Sequence, residues 1–389
     1  MPQPSSDSLE RTLIGLYVLA EQQLLAGMTQ ILRRLLVTGD GPLAFASIRR
    51  LTRRILGLLV SQSNPLVEAL VTAAITEGRR DADASVSKAL ERFTTSGAGG
   101  GRGEPPHLPI GSSADDFFDL SLPHGMRAAQ AIRDDIVSEL QDVRFRITRL
   151  PDDVYKMIAP HGAIYQALEN GVTPAQAQAM AWRVFTSSGV TGFTDVSGRD
   201  WSLSAYVEMA VRTATNRAYN ASHLARMHAL GIHYFSVPDT GHPCPLCFPW
   251  QHRVLTDGYI DDPEIHVDAT IAEAVAAGLF HPNCRHTLIP VIPGVTVLPE
   301  PQMWTPEMDA GYRDTQKQRR LELAVRKAKR EADYAIDPLV QREALADVRR
   351  AQARVREFIR VNEFGLLRQS RREQLNLTDH KIKLPTPIR

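Results

Sequence analysis

Apolar residues recur at helical spacing near the N-terminus and predict a long first helix. The stripe over residues 7–37 consists of Leu13, Tyr17, Leu24, Met28, Ile31 and Leu35. Intervals of three, four and seven place these side chains on one face of an amphipathic helix. Asp7 and Glu10 resemble a capping pair, and the Gly-Asp-Gly-Pro run at 39–42 predicts the end of this helix.

Further helical stripes follow along the chain. A second helical region is predicted to be interrupted at Asn64-Pro65, because proline breaks helices. A third stripe consists of Met126, Ala129, Ile132, Ile136, Leu140, Val143 and Ile147. Thr173-Pro174 is typical of a helix start. A further helix is predicted to begin near Ser202 or Ser204 and to end at Gly231. An antiparallel helical bundle would bury these stripes.

The last ninety residues are predicted to form two long helices. One covers residues 311–333, and a second runs from Pro338 to about Ser370. Its stripe consists of Leu345, Val348, Ala351, Val355, Phe358 and Ile359. Two amphipathic helices joined at a proline favour an antiparallel hairpin, or packing of both on the N-terminal bundle.

The centre of the chain has a mixed pattern. Glycines around residues 189–198 indicate a hairpin or an irregular loop, and residues 232–237, 253–255 and 287–292 are strand candidates. A short helix over residues 269–277 is predicted to end at Gly278. The predicted fold class is therefore α+β, predominantly α, with long amphipathic helices flanking a small α+β domain.

Composition shifts suggest five segments. Residues 94–113 contain six Gly and three Pro, which is typical of a linker or a long surface loop. The predicted segments are an N-terminal helical region, the linker, a second helical region, a central domain and basic C-terminal arms. Their bounds are 1–93, 94–113, 114–200, 201–299 and 300–389.

Overall composition limits the class of protein. With 43% hydrophobic and 23% charged residues, the 389-residue chain is globular rather than disordered. No secretion signal and no stretch suited to spanning a bilayer is apparent, since the most apolar runs contain polar residues or proline. Three cysteines are too few for a disulfide framework. The expectation is a soluble protein made inside the cell, without a membrane partner.

Charge is distributed unevenly although the net charge is only +1. Residues 301–389 contain 20 Lys and Arg against 13 Asp and Glu, whereas residues 1–300 contain 25 against 31. A basic tail on an acidic body suggests an anionic partner such as nucleic acid or an acidic protein face. The best-clustered candidates for contacts with DNA are Arg349, Arg350, Arg354 and Arg356. A solvated or protein-facing helix side explains them at least as well.

All three cysteines lie in two short motifs that together suggest a metal site. Cys244 and Cys247 form a CxxC turn, and His281 and Cys284 follow in the run His-Pro-Asn-Cys-Arg-His. Three thiolates and one imidazole are a donor set for tetrahedral Zn²⁺, and a closed set of this kind is structural rather than catalytic. His286, or less readily His242, could replace His281 as the fourth ligand.

Other interpretations of these residues stay open. CxxC can be a turn with two buried thiols, while a redox role lacks the βαβ pattern around the motif. Arg212, Asn216 and His223 could form a polar patch on one helix, although solvent exposure explains such residues more often. Phosphate-binding loops and catalytic signatures are absent, so no enzymatic activity is predicted.

A family resemblance emerges from the order of the central motifs. The CxxC turn is preceded by Trp201, Tyr206, Arg212-Thr213 and Asn216-Arg217. It is followed by Pro249-Trp250-Gln251 and then by residues 281–285. This order resembles the minor capsid or head-morphogenesis proteins of tailed bacteriophages. The similarity is to the Mu F-like class and especially to the phage minor capsid protein 2 family.

Two positions depart from the family pattern. Many relatives have Gly where this chain has His252, and many have Cys where it has His286. A Cys-to-His exchange preserves a metal ligand, which favours His286 as a ligand or as a neighbour of the ligands.

The resemblance implies a structural virion protein. It would lie inside the head near the portal, contact portal or major capsid protein with DNA as a further partner, and act in head assembly and in DNA packaging or ejection. It would be present in the host cytoplasm during assembly. The alternative is a zinc-dependent nuclease or transferase acting on nucleic acid, with His281, His286 or His223 as base.

Overall fold

A computed structural model describes residues 4–95, 116–158, 173–188, 193–194, 200–239, 241, 244–259 and 265–375. Its helices are α1 (Ser6–Thr38), α2 (Gly41–Thr95), α3 (Pro123–Ile158), α4 (Pro174–Ser188), α5 (Leu203–Ala229), α6 (Ile271–Ala276), α7 (Pro306–Asp333) and α8 (Pro338–Arg360). Its strands are β1 (Phe193–Thr194), β2 (Asp200–Trp201), β3 (Tyr234–Ser236), β4 (Leu255–Thr256), β5 (Ala269–Thr270) and β6 (Ile289–Pro290). The predicted fold class, α+β and predominantly α, is confirmed.

Helix α1 matches the prediction in its bounds but not in its cap. The side chain of Ser5 accepts a hydrogen bond from the backbone N–H of Ser8 at 3.3 Å, which caps the helix. Glu10 instead forms an ion pair with Arg212, with 3.2 Å between Oε1 and Nε. The predicted Asp7–Glu10 capping pair is therefore wrong, because a tertiary partner engages the carboxylate of Glu10.

Helix α2 is continuous over 55 residues and includes Pro65. The predicted interruption at Asn64-Pro65 is wrong, since buried apolar residues lie on both sides of the proline, among them Leu59 and Val67. Proline inside a helix costs about 3 kcal/mol, and burial of a helix face can offset that cost. By length and composition alone, α2 also contains a window that could cross a membrane, and 39% of that window is buried in the protein.

Two of the predicted helix ends have the expected local chemistry. At the start of α4, the Thr173 hydroxyl accepts from the Gln176 backbone N–H at 3.2 Å, and the Gln176 side chain accepts from the Thr173 N–H at 2.9 Å. After α5, Gly231 has a φ of 75°, which a left-handed helix stop requires.

Helices α7 and α8 form the predicted antiparallel hairpin. Val325 packs with Ala351 and Val355, and Lys317 lies 4.7 Å above the ring centroid of Phe358. The prediction that α8 reaches Ser370 is wrong, because the helix ends at Arg360. The Asn362 side chain then accepts from the backbone N–H of Phe364, and Gly365 adopts a φ of 66°, which turns the chain.

A small mixed sheet forms the centre of the chain. Its strand order is β5-β4-β3-β6, with β3 antiparallel to β4 and β6, and β4 parallel to β5. Strand β5 is absent from the sequence prediction, and each strand has only two or three residues. Phe235 of β3 is fully buried, and Cys247, Cys284 and residues from α2, α5 and α6 share its core. The predicted hairpin near residues 189–198 corresponds to β1 and β2.

The chain divides into two compact units, each assembled from three stretches. The acidic unit consists of Met1–Glu10, Val67–Val137 and Met209–Tyr312, and it carries 12 Lys and Arg against 23 Asp and Glu. The basic unit consists of Arg11–Leu66, Ser138–Glu208 and Arg313–Arg389, and it carries 33 against 21. The five segments expected from composition stay a prediction, and residues 96–113 of the expected linker lie outside the described residues.

Candidate metal centre

The CxxC motif forms a tight turn in the acidic unit. The backbone N–H of Cys247 donates to the carbonyl of Cys244 at 3.1 Å, and that of Phe248 donates to the same carbonyl at 2.9 Å. A short 3₁₀ helix, Phe248–Trp250, continues the turn. Cys244 is half-buried and Cys247 is fully buried in the core.

The second motif reverses direction at His281-Pro282-Asn283-Cys284. The N–H of Cys284 donates to the carbonyl of His281 at 2.8 Å, and Asn283 has a φ of 64°. Proline at the second position and asparagine with positive φ at the third are the residues that a type II turn favours. The turn places the imidazole of His281 and the thiol of Cys284 near each other.

The two motifs meet although 37 residues separate them. Cys247 Sγ lies 3.6 Å from Cys284 Sγ, and Cys244 Sγ lies 3.2 Å from His281 Nε2. The potential ligand atoms form two groups of three. Within each group the atoms lie within 4.8 Å of one another, and both groups contain Cys247. The first group adds Cys244 and His281, and the second adds Cys284 and His286. All five sequence-predicted residues are thus brought together, whereas His242 lies outside the described residues.

The two histidines have different hydrogen-bond partners. Nδ1 of His281 donates to the carbonyl of Pro282 at 2.8 Å, which leaves Nε2 facing the cysteines. Nε2 of His286 faces the amide nitrogen of Gln251 at 3.3 Å and accepts from it, so the ring proton lies on Nδ1, 3.5 Å from Cys284 Sγ. His281 therefore directs Nε2 at the thiolate of Cys244, where a metal ion would replace the Nε2 proton, and His286 presents an N–H to Cys284.

Close contacts between the cysteines and His281 shift the pKa values of these four side chains. A hydrogen bond from Cys247 lowers the pKa of Cys244 to about 3 and that of Cys284 to about 4. The same neighbours raise the pKa of Cys247, and contact with Cys244 raises the pKa of His281 to about 9. Cys247 contacts both other cysteines, and three neighbouring thiols cannot all be thiolates unless a cation compensates their charge. This donor set fits a divalent metal ion of the zinc type.

A row of polar side chains on α5 holds the second motif in place. Thr213 accepts from the N–H of Asn283 at 3.2 Å, and Asn216 donates to the carbonyl of Cys284 at 2.9 Å. Asn220 donates to the carbonyl of His286 at 3.2 Å. Because the spacing of these residues follows the helical repeat, one face of α5 binds successive backbone groups of the motif.

His223 extends this row to the end of the motif and to α2. Its Nε2 lies 3.0 Å from the carbonyl of Leu288, and its Nδ1 lies 2.9 Å from the carbonyl of Gly78. Gly78 allows this approach, since a Cβ there would lie 2.5 Å from the carbonyl oxygen of Tyr219. Both ring nitrogens of His223 therefore lie within hydrogen-bond distance of a backbone carbonyl, one on α2 and one after the second motif.

Sequence reasoning missed the role of this helix face. Solvent exposure was the favoured explanation for Arg212, Asn216 and His223, and it is wrong for His223, which is 3% exposed. Arg212 pairs with Glu10 instead. The polar residues at 213, 216, 220 and 223 carried the missed signal, because their spacing of 3, 4 and 3 marks one helix face.

The arginines predicted to contact DNA lie on α8, in the basic unit. All four, Arg349, Arg350, Arg354 and Arg356, are exposed. Arg350 pairs with Asp347. The helix therefore presents these guanidinium groups to solvent and not to the core.

Comparison with known proteins gives the class of protein. A structural protein of Lactococcus phage LL-H is 30% identical over 193 residues, which is 47% of this chain and 51% of the relative. The chain thus spans about half the length of the curated relative that it matches, which is a phage structural protein. No solved structure matches the chain.

A family match identifies the chain more closely. Residues 126–360, more than half of the chain, match the family described as phage minor capsid protein 2. The chain belongs to this family of phage minor capsid proteins. The matched range includes both cysteine motifs, α5 and the α7–α8 hairpin.

Proposed function

We propose that this minor capsid protein lies inside the phage head near the portal, where it contacts portal or major capsid protein during head assembly. Family membership is the observation that carries the proposal. The proposal includes a role in DNA packaging or ejection, a period in the host cytoplasm before assembly, and phage DNA as a further partner. The location near the portal is proposed by analogy with the Mu F-like class, which the central motifs resemble.

Exposed apolar residues at the end of the α7–α8 hairpin support a protein partner there. Val361, Phe364 and Leu367 follow α8 and are 56%, 45% and 77% exposed. Large exposed apolar side chains that are close in sequence favour a contact surface. This surface belongs to the basic unit, whereas the cysteine motifs belong to the acidic unit.

Incorporation into particles tests this role. We expect Phe364→Asp/Leu367→Asp to lower the copy number in purified virions at least tenfold and to abolish cross-linking to portal protein. Val297→Asp is the matched control, because Val297 is 93% exposed but lies in the acidic unit. Finding the parent chain in lysates and never in virions would overturn the proposal.

We also propose that Cys244, Cys247, Cys284 and His281 bind one structural zinc ion. The support is the donor geometry: Cys247 lies within 4.8 Å of Cys244 and His281 in one group and of Cys284 in the other, while His286 offers an N–H to Cys284. A hydrogen bond from His286 to a metal-bound thiolate would orient that ligand. Four protein ligands leave no position for water, which favours a structural role.

Elemental analysis of the purified chain tests the zinc proposal. We expect near-stoichiometric zinc in the parent, and loss of zinc with a lower Tm in Cys244→Ser and Cys284→Ser. His281→Ala should lose zinc, whereas His286→Ala should retain most of it with a lower affinity. The reverse order would make His286 the fourth ligand.

The alternative function, a zinc-dependent nuclease or transferase, has less support. His223 contacts two backbone carbonyls, and His286 is 5% exposed. Neither is placed to serve as a general base for a nucleic-acid substrate. Incubation of the purified protein with DNA and Mg²⁺ or Zn²⁺ decides between the functions, and cleavage that His281→Ala abolishes would favour the enzyme.

A further inference from the structure

Four arginines leave α8 on the same side. Arg342, Arg349 and Arg356 are seven residues apart, which is nearly two turns, and Arg360 lies about one turn beyond Arg356. All four are exposed. We call these four residues the arginine row, and at 1.5 Å per residue it is about 27 Å long.

The arginine row lies opposite the buried face of its helix. The buried residues of α8 are Val340, Ala344, Ala351 and Val355. At about 100° per residue, these residues lie between about 100° and about 180° around the helix from Arg349 and Arg356. Packing within the hairpin therefore does not use the row.

Carboxylates on α8 leave most of the row without a partner. Asp347 contacts Arg183 and Arg350, and Glu357 contacts Arg360. For Arg342, Arg349 and Arg356, no ion pair is present within the described residues. These guanidinium groups are available to an external anion.

The surroundings of the row extend its positive charge. The basic unit as a whole has a surplus of 12 basic residues, 33 against 21. On α7, Arg319, Arg320 and Lys327 are also exposed. The field around the hairpin therefore attracts anions over a longer distance than one side chain reaches.

We propose that the arginine row binds the phosphate backbone of duplex DNA. Neighbouring Cα atoms are about 10 Å apart along most of the row, so one small anion is poorly matched to the whole row, whereas an extended polyanion can contact all of it. Duplex DNA carries regularly spaced phosphates, and arginine binds phosphate through charge-assisted hydrogen bonds.

A protein partner is the other occupant to consider. The centre of a protein interface is depleted in charge and contains large apolar or aromatic side chains. Near the middle of the row, the large apolar residue is Leu345, which is 44% exposed. Charge thus dominates this side of α8, which favours DNA.

The row differs from the set of arginines that the sequence suggested. Arg349 and Arg356 belong to both, but Arg350 and Arg354 lie about 100° or more around the helix from Arg349. Arg342 and Arg360 replace them. The inference deepens the proposed virion role by naming DNA as the partner of α8, and its test on purified protein does not depend on incorporation into particles.

Anisotropy of a labelled 30-base-pair duplex with the full-length protein, from 50 to 300 mM NaCl, tests the inference. Arg349→Gln/Arg356→Gln removes two contacts from the row. The logarithm of the binding constant falls linearly with the logarithm of the salt concentration, and each phosphate contact contributes about 0.9 to the steepness of this salt slope. At 0.1 M salt, one contact therefore corresponds to about eightfold in affinity. We therefore expect affinity to fall about 60-fold and the slope to decrease by about 2.

The matched control is Arg350→Gln/Arg354→Gln, which removes the same charge from the same helix. We expect it to weaken binding about threefold or less, since only the general field changes. Equal losses in the two double variants, or no DNA binding by the parent, would overturn the inference. Unchanged DNA binding by the row variant, with loss from virions, would assign the row to a protein partner instead.

Discussion

The acidic and basic units are stabilised in different ways. The acidic unit has strands of two or three residues, too short for a stable sheet by themselves, and it brings the cysteine and histidine side chains into contact with the core. The basic unit consists mainly of long helices with apolar stripes. We therefore expect the first unit to depend on a bound metal and the second to depend on helix packing.

The charges of the units differ as much as their architecture. A net charge of +1 conceals a surplus of 12 basic residues in one unit and of 11 acidic residues in the other. Sequence order alone indicated a smaller surplus of 7 over the last 89 residues. Arg33, Arg34, Arg49, Arg50, Arg53 and Arg54, far away in sequence, add to the same unit.

The largest effect is expected from Cys247→Ser, because both groups of potential ligands contain Cys247. Structural zinc contributes on the order of 10 kcal/mol in small domains. We expect loss of zinc and loss of amide-exchange protection over β3–β6, with the α7–α8 hairpin unchanged. Parent protein treated with a chelator is the control and should give the same pattern. Equal loss of protection in both units would contradict the comparison.

Loss of a buried polar contact should lower the stability of the basic unit. The guanidinium of Arg144 donates to Tyr17, Ser63 and Asn64, and Arg144 is 8% exposed. Arg144→Met leaves these groups unpaired, so the free energy of unfolding in urea should fall by about 3 kcal/mol.

Zinc content should not change in this variant. Arg149→Met, an exposed change on the same helix, should alter the stability by less than about 0.5 kcal/mol. If Arg144→Met removed zinc, metal binding would not be confined to the acidic unit.

Positioning of the second motif by α5 should be visible in metal affinity. Asn216→Leu/Asn220→Leu removes two hydrogen bonds to the carbonyls of Cys284 and His286. Outer contacts of this kind change metal affinity 10- to 100-fold, and we expect a decrease of that size in chelator competition. Arg217→Leu, on the exposed side between them, should leave the affinity unchanged. Equal metal affinities for the parent, the double variant and Arg217→Leu would show that α5 does not position the second motif.

The smallest effect concerns pH. Burial lowers the pKa of His228, although Asp257, 2.9 Å from its Nε2, acts in the opposite direction. The unfolded chain then binds the proton first, so stability contributed by neutral His228 is lost as pH falls below about 6.5.

His228→Asn should reduce the difference in Tm between pH 7.5 and 5.5 by about 1 °C. His266→Asn is the control, since the side chain of His266 is 88% exposed. A larger pH dependence in His228→Asn than in the parent would contradict the direction of this shift.

Local patterns predicted much of the fold. The stripe of α1, the helix start at Thr173-Pro174 and the stop at Gly231 depend on neighbours in sequence, and all three are confirmed. The sequence also predicted that the CxxC and His-Pro-Asn-Cys motifs meet, because together they supply the three thiols and the imidazole of a tetrahedral donor set.

Features set by distant partners were not predictable in the same way. Pro65 lies within a helix whose burial offsets the local cost, and Glu10 pairs with a residue 202 positions away. Asn216 and Asn220 bind backbone groups 68 and 66 residues further along the chain. Intrinsic propensity contains no information about such contacts.

X-ray absorption at the zinc edge of the purified full-length protein tests the metal centre most directly. The account predicts one zinc per chain, with about three sulfur ligands near 2.3 Å and one nitrogen near 2.0 Å. A protein that folds fully without zinc, or a zinc ion with a mainly oxygen shell, would contradict it.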